Sequence, residues 1–387
     1  MNQIIQQIQT QHIETFGEEP LIVRSPGRIN VIGEHTDYNE GFVLPGAVDK
    51  YVYVSISRRA DSKIYLRSLN FDEIAISAIE TLDILSTHWA NYVLGMANEL
   101  KGKLSSGFNM TLYGDVPLGA GMSSSAALES AVGFALNELF DIGMDRMELA
   151  LMGQRCEHIY IGVKCGIMDQ FASLFGKEGH VIKLDCRDLS HAYVPLPMGD
   201  YVLLLLNTNV KHSLASSAYN QRREKCEQAV AYLQHEYPDV RSLRDVSLDM
   251  LENVVLEKDK EAFVKAKFVV EEIQRVTETC DLLMQGDLPA MGQNMFATHR
   301  GLREDYEVSC AELDFLVDYV KQFPEVLGAR MMGGGFGGCT INIVHREFIE
   351  ELLPPLRMAY QAQFDLVLDD YRVELKNGTE IVYEHGY

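Results

Sequence analysis

The chain has 387 residues, 47% hydrophobic and 23% charged, and a formal net charge of −22. This is the composition of a globular protein with room for two or three domains, and its acidity excludes a surface built to hold nucleic acid or anionic membrane. The seven cysteines include no CxxC pair, which argues against a disulfide framework or zinc site and fits a reducing cytoplasm.

The opening MNQIIQQIQTQHIETFG is polar with Ile4, Ile5 and Ile8 at helical spacing, so it reads as a docked surface helix and not a signal peptide. LIVRSPGRINVIGEHTDYNEGFVLPGAV holds two short apolar runs around a glycine-punctuated polar centre. YVYVSIS alternates, placing Val52, Val54 and Ile56 on one face, and KIYLRS and EIAIS continue the strand pattern. Trp89, Tyr92, Val93, Met96 and Leu100 fall at helical spacing. FNMTLYGD predicts a half-buried strand with Phe108, Met110 and Leu112 inward, followed by the loop PLGAGMSSSA and the helix pattern AALESAVGFALNEL.

A second helix, MDRMELALMGQRCEHIY, leads to IGVKCGIMDQFASLFG, which reads as a loop. VIKLD and YVLLLLN read as buried strands; Val202 to Leu206, the longest purely apolar run, is far too short to span a bilayer. TNVKHSLASSAYNQRREKCEQ reads as a polar loop, and Tyr219 to Phe323 is mostly helical. MMGGGFGGCTINIV is a glycine-rich loop entering a strand. REFIEELLPPLRMAYQAQF is a helix that Pro354-Pro355 should break or kink, and strand-like residues close the chain. The best boundary lies between Met198 and Asn207, giving units 1–200 and 201–387, with the last strand free to return to the first.

Three stretches carry chemistry. In Pro117–Ala126 a strand, a glycine loop and a helix start meet, so free backbone amides, the positive end of the helix dipole and the Ser123, Ser124 and Ser125 hydroxyls converge on one anion site. No GxxxxGK[ST] is present, so this cradle has no P-loop lysine. In GRINVIGEHTDYNEGFVLP, Glu34, His35 and Asp37 can hold several hydroxyls at once, with Arg28 as a nearby fixed cation. A solvated polar turn and a metal site remain open readings there, the latter weakened by the absence of a second His/Asp/Glu cluster. Glu157 precedes the glycine-punctuated IGVKCGIMDQ, which contains Asp169; Glu157 suits Mg²⁺, while Asp169 taken alone reads first as a turn former. The five glycines of MMGGGFGGCT form either a flexible hairpin or a backbone wall against a ligand, with Arg330 at its start.

PLGAGMSSSA and MMGGGFGGCT resemble the second and third motifs of the GHMP small-molecule kinases, and GRINVIGEHTDYNEGFVLP resembles the signature particular to galactokinases. The resemblance implies an α+β fold of two domains with the active site in the cleft between them. It further implies transfer of the ATP γ-phosphoryl group to the anomeric hydroxyl of α-D-galactose. By position, Gly119, Ala120, Gly121, Met122, Ser123, Ser124 and Ser125 match the ATP phosphate loop, with Ser125 and Glu157 at the Mg²⁺ positions. Asp169 matches the catalytic aspartate and Arg28 the cation beside it; Glu34, His35, Asp37, Gly166 and Tyr219 match galactose contacts, and Ser68 an adenine-side contact. The expected partners are galactose and ATP alone, without nucleic acid or membrane, for a monomer in the cytoplasm. An N-acetylgalactosamine or L-arabinose 1-kinase is an alternative. So is a non-catalytic galactose sensor, although that branch carries a deletion after the triple serine, whereas here Ala126 and Ala127 follow without a gap. Protein-kinase and P-loop readings lack their HRD, DFG and Walker lysine.

Overall fold

The computed structural model describes residues 3–210 and 215–384. Helix α1 (Gln3–Phe16) leads into β1 (Leu21–Asn30), β2 (Phe42–Val43), the long β3 (Pro45–Arg58) and the hairpin of β4 (Lys63–Ser68) and β5 (Glu73–Ala78). Then come α2 (His88–Glu99), β6 (Phe108–Gly114), α3 (Ser124–Leu139), α4 (Arg146–Cys156), α5 (Met168–Phe175), β7 (His180–Asp185) and β8 (His191–Pro195). After β9 (Tyr201–Asn207) the chain is helical through α6 (Ala215–Gln234), α7 (Leu248–Val254), α8 (Lys260–Met284), α9 (Leu288–Glu304) and α10 (Ala311–Val320). It closes with β10 (Val326–Met331), β11 (Cys339–His345), α11 (Ile349–Phe364), β12 (Asp369–Val373) and β13 (Glu380–Tyr383).

Among the described residues these strands form a six-stranded sheet in the order β13-β1-β3-β6-β4-β5, a four-stranded sheet β10-β11-β9-β12 and a three-stranded sheet β2-β7-β8. All pairings are antiparallel except β4 with β6. The end of the chain returns to the first sheet, with Ile22 opposite Tyr383. One apolar cluster joins Ile29, Phe108 and Ala131 to Leu203, Leu205, Val276 and Ile341, so early and late elements bury surface together. Such shared burial is the main favourable term holding the two ends of the chain in place.

Strand β6 is not half-buried as its alternation suggests: Phe108 through Leu112 are all buried. It lies between β3 and β4, and its polar face is covered by α1, where the buried His12 meets Thr111 Oγ1 at 3.2 Å and Ser57 Oγ at 2.9 Å. The stretch read as the loop IGVKCGIMDQFASLFG contains α5, whose Met168, Phe171, Ala172 and Leu174 are buried. Likewise α6 starts inside the stretch read as a polar loop, of which 211–214 lie outside the described residues. Helix α11 runs through Pro354 and Pro355 unbroken. Both prolines are exposed, so the carbonyls they leave unpaired face water, while Leu352, Leu353, Leu356 and Tyr360 hold the opposite side in an apolar cluster.

Candidate active site

The loop between β6 and α3 turns on Gly119 at φ +74° and Gly121 at φ +73°, a region L side chains rarely enter. A Cβ on Gly121 would lie 3.1 Å from the Met332 carbonyl oxygen, whereas one on Gly119 would meet nothing within 4 Å. The Ala120 and Met122 side chains are buried, leaving only their backbones to face a ligand. Helix α3 begins at Ser124, so its first-turn amides lack intrahelical acceptors and mark an anion-binding end. Ser123 does not cap that helix; in a left-handed conformation at φ +53°, its hydroxyl donates to Asp169 Oδ2. The glycine-rich third motif is the turn between β10 and β11, and it is also a wall: a Cβ on Gly338 would sit 3.5 Å from the Gly119 oxygen.

Asp169 is the second residue of α5, not part of a loop. Arg28, at the far end of β1, grips it with both prongs: Nε to Oδ1 at 2.8 Å and Nη2 to Oδ2 at 2.9 Å. The Arg28 side chain is 5% exposed and that of Asp169 28%, so the carboxylate keeps an open side. Arg28 Nη1 also donates to the Gly121 carbonyl, and its backbone N–H to the Met122 carbonyl at 3.1 Å. One guanidinium thus fixes Asp169 against the phosphate loop with planar, charge-assisted hydrogen bonds.

The sugar-signature residues converge on the same cavity, of about 310 Å³, lined by Arg28, Glu34, His35, Asp37, Gly166, Asp169 and Tyr219. Glu34 is engaged by the protein itself: its Oε1 accepts from the fully buried Arg330 at 3.1 and 3.2 Å and from the Gly333 N–H at 2.8 Å. Among the described residues no cluster of three or more His, Cys, Asp or Glu side chains is placed to hold a metal ion. Asp37 Oδ1 accepts the Tyr38 N–H at 2.9 Å. Its Oδ2 packs on Gly166, where a Cβ would fall 1.8 Å away, so only glycine fits. Burial, then the Asp169 and Glu34 charges, push the Asp37 carboxyl up to about 7. Burial and then the Arg222 cation hold His35 down at about 3, so its ring is neutral. The Tyr219 ring stands 5.2 Å from that of His35.

A second cavity of about 620 Å³ adjoins the first, and both are lined by Tyr92 and Ser125. Ser68, Phe71 and Trp89 also line it. Ser68 is buried at the end of β4, its hydroxyl 3.4 Å from the Phe71 N–H, and Trp89 Nε1 donates to Glu73 at 2.8 Å. Flat aromatic walls with a few polar groups suit a purine base. At the junction, Glu157 opens a π-helical turn over Glu157–Ile161; burial pushes its carboxyl up while the Ser125 hydroxyl opposes that.

Sequence reasoning missed five contributors, one of them Phe71, which sits in the turn between the KIYLRS and EIAIS strand patterns. Trp89 and Tyr92 sit at helical spacing and read as core, and Tyr38 is masked by its more conspicuous neighbour Asp37. In the sequence Arg330 marks only the start of the glycine loop. Its partner lies 296 positions earlier, and no local pattern signals that.

Family models match for the GHMP kinases N terminal domain over residues 91–177, the galactokinase galactose-binding signature over 10–58 and the GHMP kinases C terminal domain over 279–353. The galactokinase of Thermotoga neapolitana is 40% identical over 363 residues, 92% of this chain and 99% of that protein. That of Exiguobacterium sibiricum is 41% identical over 364 residues, 92% and 93% of the two chains. The crystal structure of Lactococcus lactis galactokinase complexed with galactose superposes with a TM-score of 0.93 at 34% identity, covering 97% of this chain and 99% of that one. Methanococcus jannaschii mevalonate kinase, at 16% identity and a TM-score of 0.64, shares the fold. With these family models matched, a galactokinase 40% identical over 92% of the chain and a galactokinase architecture across nearly its whole length, the chain belongs to the galactokinase family of the GHMP kinases.

Proposed function

We propose that this chain acts as a galactokinase, passing the γ-phosphoryl group of ATP to the C1 hydroxyl of α-D-galactose. The observation that carries the reading is the Arg28–Asp169 pair, which lines the sugar-signature cavity while tied to the phosphate loop through Gly121. Galactose occupies the cavity of Glu34, His35, Asp37, Gly166 and Tyr219; the nucleotide base occupies that of Ser68, Phe71 and Trp89. Between them the triphosphate runs along Gly119–Ser125 to the start of α3.

Asp169 takes the proton of the attacking hydroxyl. Two arms of Arg28 and the Ser123 hydroxyl hold its carboxylate in place, and any carboxylate is a far weaker base than a sugar alkoxide. Transfer of the proton is therefore favourable only as the new O–P bond forms and the hydroxyl acidifies. Arg28 keeps Asp169 within reach of the phosphate loop and adds positive charge beside the transferring group. Holding the two substrates in line supplies most of the acceleration, and no covalent intermediate on the protein is required.

Mg²⁺ fits this site through Ser125 and Glu157: a hydroxyl and one carboxylate, hard oxygen donors at the junction of the cavities, leave most of the shell to phosphates and water. Held there by Ser125 and Glu157, Mg²⁺ would offset negative charge on the phosphates.

A coupled ADP-release assay over a panel of hexoses, N-acetylgalactosamine and L-arabinose tests the reading, with NMR locating the phosphate. Galactose should be the best acceptor and galactose 1-phosphate the product. No sugar-dependent ADP release would leave the sensor reading, and a faster amino sugar or pentose would reassign the substrate.

A further inference from the structure

Behind the sugar cavity runs a hydrogen-bonded chain that the reaction itself does not use. His35 Nδ1 lies 2.8 Å from the Tyr38 hydroxyl, which lies 2.8 Å from that of Tyr306. The Tyr306 hydroxyl is in turn 3.3 Å from Cys226 Sγ. Tyr306 and Cys226 are fully enclosed, and the Tyr306 ring is packed between those of His35 at 4.8 Å and Phe268 at 4.9 Å. His35 lines the sugar cavity, and its Nε2 is buried with no well-formed hydrogen bond, the Gly334 backbone being its neighbouring acceptor. The residue is held at a left-handed φ of +65°, its carbonyl accepting from Asn39 Nδ2 at 2.9 Å.

A neutral imidazole has one N–H and one lone pair, so its tautomer sets the direction of every bond in this chain. With the proton on Nδ1, donation runs outward from His35 through both tyrosines, and a phenol ends on a thiol sulfur, a weak acceptor. With Nδ1 bare, Cys226 donates to Tyr306, Tyr306 to Tyr38 and Tyr38 to the imidazole lone pair. The strongest acceptor then receives a phenol, and the sulfur supplies only its weak donor. We propose that Tyr38, Tyr306 and Cys226 are positioning residues that fix His35 in its Nε2–H tautomer, presenting that N–H as a donor to a hydroxyl oxygen of the sugar. Only the identity of the ligand rests on the galactokinase reading; the tautomer does not.

Nitrogen-15 NMR of the histidine rings in the full-length protein, assigned with His35→Gln, reads the tautomer directly. The parent should show Nε2 protonated and Nδ1 bare. Tyr38→Phe keeps the ring but removes the donor, so the His35 signal should shift toward a tautomer mixture. In the same variant the galactose KM should rise about tenfold, with kcat and the ATP KM changing less than about threefold. Tyr306→Phe should shift the signal in the same sense by less, and Cys226→Ser, a better donor, should retain the parental tautomer. A protonated Nδ1 in the parent overturns the proposal. So does a Tyr38→Phe protein whose ring spectrum is parental, whether its kinetics are unchanged or both KM values rise with a falling melting temperature. If no sugar is phosphorylated at all, the functional reading fails while the ring spectrum still decides the tautomer.

Discussion

Asp37 shows how the cavity makes one residue pH-sensitive. An ordinary aspartate titrates near 4, but burial and two neighbouring carboxylates raise this one to about 7. The folded protein therefore holds the Asp37 proton more tightly than the unfolded chain does. The resulting stability is fully present below pH 4 and is lost as pH rises through 7. Above that point a carboxylate sits in the cavity short of donors, and sugar hydroxyls can supply them. Galactose kcat/KM, which reports the free enzyme, should accordingly climb between pH 6 and 8, and Asp37→Asn should flatten that limb. The melting-temperature gain on adding galactose should also be larger at pH 8 than at pH 6. A flat profile in the parent enzyme would show that Asp37 is ionised throughout and that its neighbours do not control it.

Among the elements, the loop before α3 has two glycines in the same backbone region with different surroundings. Gly121→Val combines left-handed strain with a Cβ pressed on the Met332 carbonyl, so the phosphate loop and the third glycine motif are pushed apart. Gly119→Ala carries only the backbone cost, on the order of 1–2 kcal/mol, because nothing lies near its Cβ. Calorimetry should find MgATP binding lost in the folded Gly121→Val protein and only weakened in Gly119→Ala. Parental affinity in Gly121→Val would remove this loop from the nucleotide site. Strand β3 and the long helices were legible because their periodicities are strong over many residues, and β9 because it is a short unbroken apolar run. Helix α5 was not, since its eight residues hide among glycines; nor was the start of α6, whose NQRREKCEQ shows no apolar stripe. The glycine loop and the sugar signature announced themselves by composition. The fit of Asp37 against Gly166, by contrast, depends on two segments over a hundred positions apart, and only the fold brings them together.

Across the whole molecule, late residues build the early motif's site. Arg330, fully buried at the end of β10, bonds to Glu34 and to the carbonyls of Asn30 and Val31, while α8 sends the buried Glu272 to the Gly33 N–H at 2.9 Å. Removing one partner of such a pair strands a charge, at a cost of about 3–5 kcal/mol. Arg330→Met should therefore lower the melting temperature by roughly four to six degrees, with part recovered in the double variant with Glu34→Gln. A melting temperature within about two degrees of the parent would mean the pair contributes little. The central claim is that Asp169 lines the sugar cavity beside the proposed phosphate loop and that this carboxylate takes the proton during phosphoryl transfer. The most direct measurement is the turnover of Asp169→Asn, with galactose and MgATP binding followed by calorimetry on the same folded protein. Asparagine keeps the shape and one acceptor but cannot take the proton, so kcat should fall by about 10²–10⁴ while both ligands bind within a few-fold of the parent. Turnover within about tenfold of the parent, only about 1.4 kcal/mol of barrier, would contradict the account.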